Sequence, residues 1–391
     1  MTPSILIAGG GTGGHVFPGL AVAHALTELA EVRVVFAGSP RGLETKVVPQ
    51  HGYDLELLDV EPMMGGGPGR AFRGALVAAK AMRAATGMVG RLRPSAAMCV
   101  GGYSGGPASL ACVRARVPLA ILEPNSVLGL ANRMLSPFAK RAYVAWAETA
   151  RGFRTDKARL FGVPLRPGFD PQPYAAPPGR RRLLVLGGSQ GSVALNDRLP
   201  FAIARAASSV GDIEVVHQTG AAREAAVRDA YQKAGVKSAM VVSFVTDVAF
   251  QMASADLIVA RGGAVTVAEI SAIGRASLIV PFPHAADDHQ AKNALALANL
   301  GGALCIRQEV ADEKRLGHEL ALLLGDEERR VRMARTALEH GHPYAAQDVA
   351  RDLLTLAGIP ERRKGTPGPK PSDGATNGHS SMHVPTAKVV S

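Results

Sequence analysis

The sequence predicts an α/β protein: two Rossmann-like domains in tandem, facing a central cleft. Three observations carry that expectation. Short apolar runs bounded by turn residues alternate with helix-length stretches, the pattern of parallel sheets covered on both faces. One unit, strand then glycine turn then helix, opens each half, as "ILIAGGGTGGHVFPGLAVAHAL" from Ile5 and as "RRLLVLGGSQGSVALND" from Arg181. The 391 residues suffice for two ordinary domains, each burying its own core.

The first strand is expected at Ser4 to Ala8, with its helix running through Leu29. Further strands are read in "EVRVVFAGS", "PSAAMCVGG", "PLAILEP" and "RAYVAW". The stretch "FGVPLRPGFDPQPYAAPPGRRR" is rich in Pro and Gly and reads as a linker. Strands then recur at "IEVVHQTG", "AMVVSFV", "ADLIVARGG" and "ASLIVPFP". An amphipathic helix, "HPYAAQDVARDLLTLAGI", closes the folded part. The expected division is 1–162, then 163–342, with a helix at about 343–359 rejoining the first domain. Residues 361–391 have few large apolar side chains and many Gly, Pro and Ser, so they are expected to be disordered.

Composition narrows the function classes. Apolar residues make up 47% and charged residues 20%, ordinary for a soluble globular protein. No stretch reads as a signal peptide or a membrane span. Three separated cysteines, Cys99, Cys112 and Cys305, have no metal-ligand spacing and fit a reducing compartment. The net charge of +11 suits an anionic partner, although part of it lies in the tail. Aromatic residues are only 5%, too few for base-stacking platforms, so nucleic acid is not an expected partner.

The glycine turns locate the chemistry. Gly9, Gly11 and Gly14 satisfy G-x-G-x-x-G, a weak signal alone. A dinucleotide site also needs an acid at the end of the second strand, and Phe36-Ala37-Gly38-Ser39 has none, while Arg41 keeps an NADP reading open. His15 stands at the helix start, where its side chain would meet whatever the loop holds. "GGSQGS" supplies a second nest of N–H groups with the hydroxyl of Ser189. In "ARGGAVTVAE" a helix beginning near Ala264 aims its positive end at a ligand, and Glu269 would grip a ribose diol. His284, Asp287, Asp288, His289, Gln290 and Asn293 cluster after a buried strand, where open parallel sheets place their ligands. They are too crowded for a fixed tetrahedral metal site, and no D-x-D triplet occurs. No metal is required, and a loosely held Mg²⁺ is compatible with these residues.

"GGTGGHVFPGLAVA", "GGYSGGP", "GGSQG", "RGGAVTVAE" and "DDHQAKNA", in that order, resemble the MurG family of bacterial N-acetylglucosaminyltransferases. The likeness runs from about Ile5 to about Ile359. It implies a GT-B fold and an inverting enzyme at the cytoplasmic face of the inner membrane, held peripherally. UDP-N-acetylglucosamine (UDP-GlcNAc) would lie mainly on the second domain. The acceptor, undecaprenyl-diphospho-N-acetylmuramoyl-pentapeptide (lipid I), would approach the first, and the product would be lipid II. Carried over residue by residue, donor contacts fall on Thr12, Gly13, Gly14, Asn125, Arg166, Ser189, Val245, Ala264, Val265, Thr266, Val267, Ala268, Glu269 and Gln290. The chain departs from the family at Leu122-Glu123-Pro124-Asn125, where H-E-Q-N is usual, and at Gly162-Val163-Pro164, where G-N-P is usual.

Two candidates emerge for the base that takes the acceptor proton. His15 titrates near neutrality and is expected to face the cleft, its pKa held down by the helix end. Glu123 is the second, with the competing reading that it orients its loop. Outside the cleft, "PMMGGGPGRAFRGALVAAKAMR" sets Arg70, Arg73, Lys80 and Arg83 beside Phe72 and Leu76, a pattern suited to an anionic membrane surface. An ordinary solvated helix face would look the same. The rival function classes are an NADP oxidoreductase, a UDP-sugar epimerase and a non-catalytic anion-binding protein.

Overall fold

Apolar β-branched and small residues fill strand after strand, and the chain buries them in two parallel sheets. The computed structural model describes residues 2–60, 68–154, 156–175, 179, 181–188 and 190–362, with the backbone alone for 68–76. The 361–391 tail lies outside the described residues except for its first two, and Ser189 lies outside them as well.

The first domain runs β1 (Ser4–Gly9), α1 (Gly13–Leu29), β2 (Arg33–Gly38), α2 (Glu44–Gln50), β3 (Asp54–Leu57), α3 (Pro68–Leu92), β4 (Ala96–Gly101), α4 (Gly105–Arg114), β5 (Leu119–Glu123), α5 (Leu130–Leu135), β6 (Arg141–Val144), α6 (Ala147–Ala150) and β7 (Ala158–Leu160). The second runs β8 (Arg182–Leu186), α7 (Val193–Val210), β9 (Glu214–Gln218), α8 (Glu224–Lys233), β10 (Ala239–Val242), α9 (Val248–Ser254), β11 (Leu257–Ala260), α10 (Ala264–Ile273), β12 (Ser277–Ile279), α11 (His289–Asn299), β13 (Leu304–Cys305), α12 (Glu313–Gly325) and α13 (Glu327–Glu339). A last helix, α14 (Ala345–Ala357), follows.

Strand order is β3-β2-β1-β4-β5-β6-β7 in one sheet and β10-β9-β8-β11-β12-β13 in the other, with parallel pairing in both. Each order reverses direction once, between β1 and β4 and between β8 and β11. Loops leaving the strand ends diverge at such a point and leave a crevice, where open sheets take ligands. Both glycine turns and the loops leading into α4 and α10 therefore sit where the topology opens.

Burial follows the pattern. β1, β4 and β5 are buried at every position, as strands covered on both faces must be. The linker is less free than its composition suggests: Val163, Leu165 and Phe169 are buried in the core of the second domain. Helix α14 crosses back to the first sheet, where Val349, Ala350, Leu353 and Leu354 pack with Leu20, Val22 and Leu26 of α1. Its Asp352 accepts hydrogen bonds from the Tyr143 hydroxyl at 2.9 Å and Arg141 Nε at 3.1 Å. Truncating a buried leucine such as Leu353 to Ala costs about 2–5 kcal/mol, so this return stroke is well anchored.

The two domains touch through a few specific contacts. Trp146 of the first packs against the cluster of Val267, Ile279, Ala294 and Leu297 in the second. The Ser126 N–H donates to Asn293 Oδ1 at 3.0 Å. No helix among the described residues is long and apolar enough to cross a membrane.

Candidate active site

The glycine turn after β1 is built differently from a phosphate cradle. Gly9, Gly10 and Gly11 all have positive φ, as the tight exit from the strand demands. Beneath them lies the fully buried carboxylate of Glu44, from the first turn of α2. It accepts from the Gly11 N–H at 2.7 Å and the Ser39 N–H at 2.9 Å. A Cβ at Gly10, Gly38 or Gly42 would run into that carboxyl, so these glycines make its berth. The Gly11 and Ser39 N–H groups are thereby already taken by an internal carboxylate. What remains for a ligand is the head of α1, where Thr12, Gly13 and Gly14 lead into the helix and no side chain caps it.

His15 stands there. Its Nδ1 lies 3.2 Å from Thr12 Oγ1, where a neutral ring accepts from a hydroxyl. The pKa is lowered from 6.5, first by desolvation. The charge of Glu123 and the Gly10 carbonyl raise it, and His289 of the second domain lowers it further. Burial, rather than the helix end, therefore keeps the imidazole neutral.

Glu123, the other candidate base, is almost fully buried at the end of β5. Oε1 accepts from the Asn125 N–H and Nδ2, both at 3.1 Å; Oε2 accepts from the Gly129 N–H at 2.9 Å and Asn132 Nδ2 at 3.0 Å. Four donors fill the lone pairs of one carboxylate. The geometry is that of a loop organiser, the second of the two readings of Glu123, and it favours His15 as the base. The same bonds turn the Asn125 amide nitrogen inward, and its main-chain carbonyl accepts from Thr149 Oγ1 at 3.0 Å.

On the second domain, α10 begins after Gly263 without a side-chain cap. Its unsatisfied first-turn N–H groups carry the positive helix end. Only that turn, Ala264, Val265 and Thr266, can present N–H groups. The Val267 N–H already bonds Gly263 O at 2.9 Å and its side chain is buried, while Ala268, half-buried, lies further into the helix. Glu269, one turn on, is buried, with Arg166 NH2 3.5 Å from its Oε1. Burial pushes its pKa up to about 7, with Arg166 pulling the other way. Arg166 itself lies over the Phe169 ring.

Gln290 is the second residue of α11, and its Oε1 accepts from the Phe282 N–H at 3.1 Å. Val245 is buried, and its N–H donates to Gln218 Oε1 at 3.0 Å, so its contact to a ligand is left to other atoms. Asp288, in the expected polar cluster, pairs with Arg307 at 2.8 Å. Among the described residues no group of three or more His, Cys, Asp or Glu is placed to hold a metal ion. Cys99 and Cys112 are buried thiols whose pKa burial raises.

Family models match both halves: the glycosyltransferase family 28 N-terminal domain over residues 5–144 and its C-terminal domain over 182–349. The chain belongs to glycosyltransferase family 28. Within this family, it is 51% identical to a Sorangium cellulosum protein over 92% of this chain and 90% of the relative. A relative from Anaeromyxobacter sp. strain K is 39% identical, over 94% and 98%. Both are named UDP-N-acetylglucosamine–N-acetylmuramyl-(pentapeptide) pyrophosphoryl-undecaprenol N-acetylglucosamine transferase. The crystal structure of Acinetobacter baumannii MurG superposes with a TM-score of 0.77 at 30% identity, covering 90% of this chain and 99% of that one. The two-sheet architecture thus carries the glycosyltransferase family 28 fold, of GT-B type.

Sequence reasoning missed Glu44 and Gln218. Neither lies in a recognisable motif; each matters through what the fold brings against it.

Proposed function

We propose that the chain transfers N-acetylglucosamine from UDP-GlcNAc to the C4 hydroxyl of lipid I with inversion, yielding lipid II and UDP. The family 28 relatives named for this reaction support the substrates. The observation that carries the site is the meeting of the two domains around His15: α1, which bears it, lies against α10, and the Ser126 N–H donates at 3.0 Å to Asn293 Oδ1 on α11, one turn beyond Gln290. A basic nitrogen from one domain thereby stands near the donor helices of the other.

In this reading the glycine turn of Gly187–Ser192 and the head of α10 hold the diphosphate, while Glu269 accepts from the ribose hydroxyls. Thr12, Gly13, Gly14, Asn125, Arg166, Val245, Val267, Ala268 and Gln290 complete the donor contacts. The acceptor hydroxyl replaces Thr12 at the open nitrogen of His15. As the bond from the anomeric carbon to the UDP oxygen breaks and the bond to O4 forms, the proton passes to the imidazole. Negative charge collects on the leaving UDP, where helix ends and amide nests stabilise it without reorganising.

Peripheral attachment to the cytoplasmic face of the membrane belongs to the same proposal. Lys80 and Arg83 are exposed on α3, while the Arg70, Phe72, Arg73 and Leu76 side chains lie outside the described residues. Leu130, Met134 and Phe138 are exposed along α5 and just beyond it, beside Arg133 and Lys140. Reversing Arg70, Arg73 and Lys80 to Glu is expected to weaken binding to anionic vesicles and spare donor affinity; unchanged vesicle binding rejects this surface.

The deciding experiment incubates the protein with labelled UDP-GlcNAc, with and without lipid I. UDP release and labelled lipid only with the acceptor are expected. A changed sugar nucleotide without acceptor would instead mean epimerisation.

A further inference from the structure

The loop after β8 and the loop after β10 are separate in sequence, yet one side chain joins them. Gln218 ends β9, almost fully buried. Its Nε2 donates to the Gly188 carbonyl at 2.9 Å, and its Oε1 accepts from the Val245 N–H at 3.0 Å. One planar amide thus fixes the spacing between a glycine-rich turn suited to phosphate and the segment at Val245. That segment shares an apolar cluster with Ala264 and packs near Val265 and Ala268, on the helix that carries Glu269. In the donor site described above, where Glu269 takes the ribose, this segment serves the nucleoside end and the glycine turn the phosphate end.

The residues around Gln218 are held as firmly. Asn196 Nδ2 donates to the Thr219 carbonyl at 2.9 Å, which turns its Oδ1 toward His217 Nε2 at 3.1 Å. The Nε2–H must then donate, and Nδ1 accepts from the Tyr231 hydroxyl at 3.0 Å. The relay has a single direction, from Tyr231 through His217 and Asn196 to Thr219. Its end presses on the same turn: a Cβ at Gly191 would strike the Thr219 carbonyl, and one at Gly220 the Gln190 carbonyl. Positive φ at Gly188, Gly191 and Gly220 completes the close approach.

We propose that Gln218 is a positioning residue that holds the phosphate turn at a fixed distance from the nucleoside segment, so that one UDP engages both at once; this rests on the donor site described above. The benefit is a chelate effect. Binding of the uridine half delivers the diphosphate to a site already in place, as a tether of matched length does for linked ligands. The amide matters because only it offers a donor at one end and an acceptor at the other. In Gln218→Glu, a carboxylate faces the Gly188 carbonyl.

The test compares UDP with uridine by calorimetry on the full chain, wild type against Gln218→Met. The affinity ratio of UDP over uridine is expected to fall roughly tenfold or more in the variant, with uridine itself little changed. KM for UDP-GlcNAc should rise while KM for lipid I holds. Gln218→Asn, too short to span both partners, is read in the same way should the Met variant not fold. A general loss of structure would weaken both ligands together and leave the ratio intact. An unchanged ratio in a folded variant overturns the proposal while the donor site stands. Equal affinities for UDP and uridine in the wild type overturn the phosphate turn itself, and this proposal with it.

Discussion

The two glycine turns look alike in sequence and are wired in opposite ways. The turn after β1 closes over the Glu44 carboxylate, which takes the Gly11 and Ser39 N–H groups. The turn after β8 is held by a neutral amide, Gln218, through a carbonyl at Gly188. One turn has spent N–H groups on an internal anion; the other is braced through an acceptor, the Gly188 carbonyl, which also takes the Gly191 N–H at 3.0 Å. Whether a glycine turn suits phosphate thus depends less on its glycines than on what the fold sets behind them. In the proposed reading the first is a platform for His15, and the second takes the donor's phosphates.

Removing the group that the first platform presents should have the largest effect. His15→Ala is expected to lower kcat by about 10²–10⁴, the usual range for a general base. UDP affinity and melting temperature should stay near wild type, because in the proposed site most donor contacts come from the other domain. In the wild type the rate should fall on the acid side at a pH below 6.5, since burial lowers the pKa from that value, and the variant should lack this limb. A variant that melts early and binds UDP poorly would make His15 a structural cap.

Glu44→Ala tests the platform itself. It strips two buried N–H groups of a charged acceptor, at a cost of about 3 kcal/mol in stability. A drop in melting temperature is expected with UDP affinity almost unchanged. If UDP binding fell in proportion, the first turn would be part of the donor site after all.

The second domain offers a pH signature. Glu269 has its pKa raised by burial to about 7 from an ordinary 4.5. Because the folded state holds this proton more tightly than the unfolded state, its contribution to stability is lost as pH rises from 4.5 to 7 and is flat outside that window. The loss amounts to roughly 3 kcal/mol. Ribose hydroxyls donating to the carboxylate favour its ionised form, so uridine, which does not titrate here, should bind about tenfold tighter at pH 8 than at pH 6. Glu269→Gln should flatten that dependence. A steep dependence surviving in the variant would place the titration elsewhere.

Much of this was legible from residue order. The strands that form the middle of each sheet are continuous apolar runs, and such runs report burial on both faces. The strands that escaped notice, β3, β7 and β13, are short and only partly buried, so "DLEL", "ARL" and "LC" carry little hydrophobic signal. Residues in ordered motifs, such as His15, Glu269 and Gln290, could be named in advance. Glu44 and Gln218 could not, because their roles come from contacts across 33 and 30 positions of chain that no local pattern encodes. Glu123 shows the converse. The sequence left it open between a base and an organiser of its loop, and its four donors favour the organiser.

The smallest effect expected concerns how the two regions communicate. Asn293 lies one turn beyond Gln290 on α11; it accepts from the Ser126 N–H across the domain junction and donates to the Gly262 carbonyl at 3.2 Å. Ser126 follows Asn125, in the loop that Glu123 organises. A ligand drawing on Gln290 and α10 therefore pulls on a residue tied to the His15 side of the cleft. The chain has one tryptophan, Trp146, and it sits at this junction with Nε1 donating to the Pro124 carbonyl at 3.1 Å. Its emission should shift when UDP binds, which makes it a built-in reporter. One neutral hydrogen bond is worth about 1 kcal/mol, so Asn293→Ala should change UDP affinity by no more than about fivefold. The emission shift should shrink more than the affinity does, because the variant still binds donor but transmits it poorly. If the shift survives at full size, the domains sense each other by another route, and the two turns work independently.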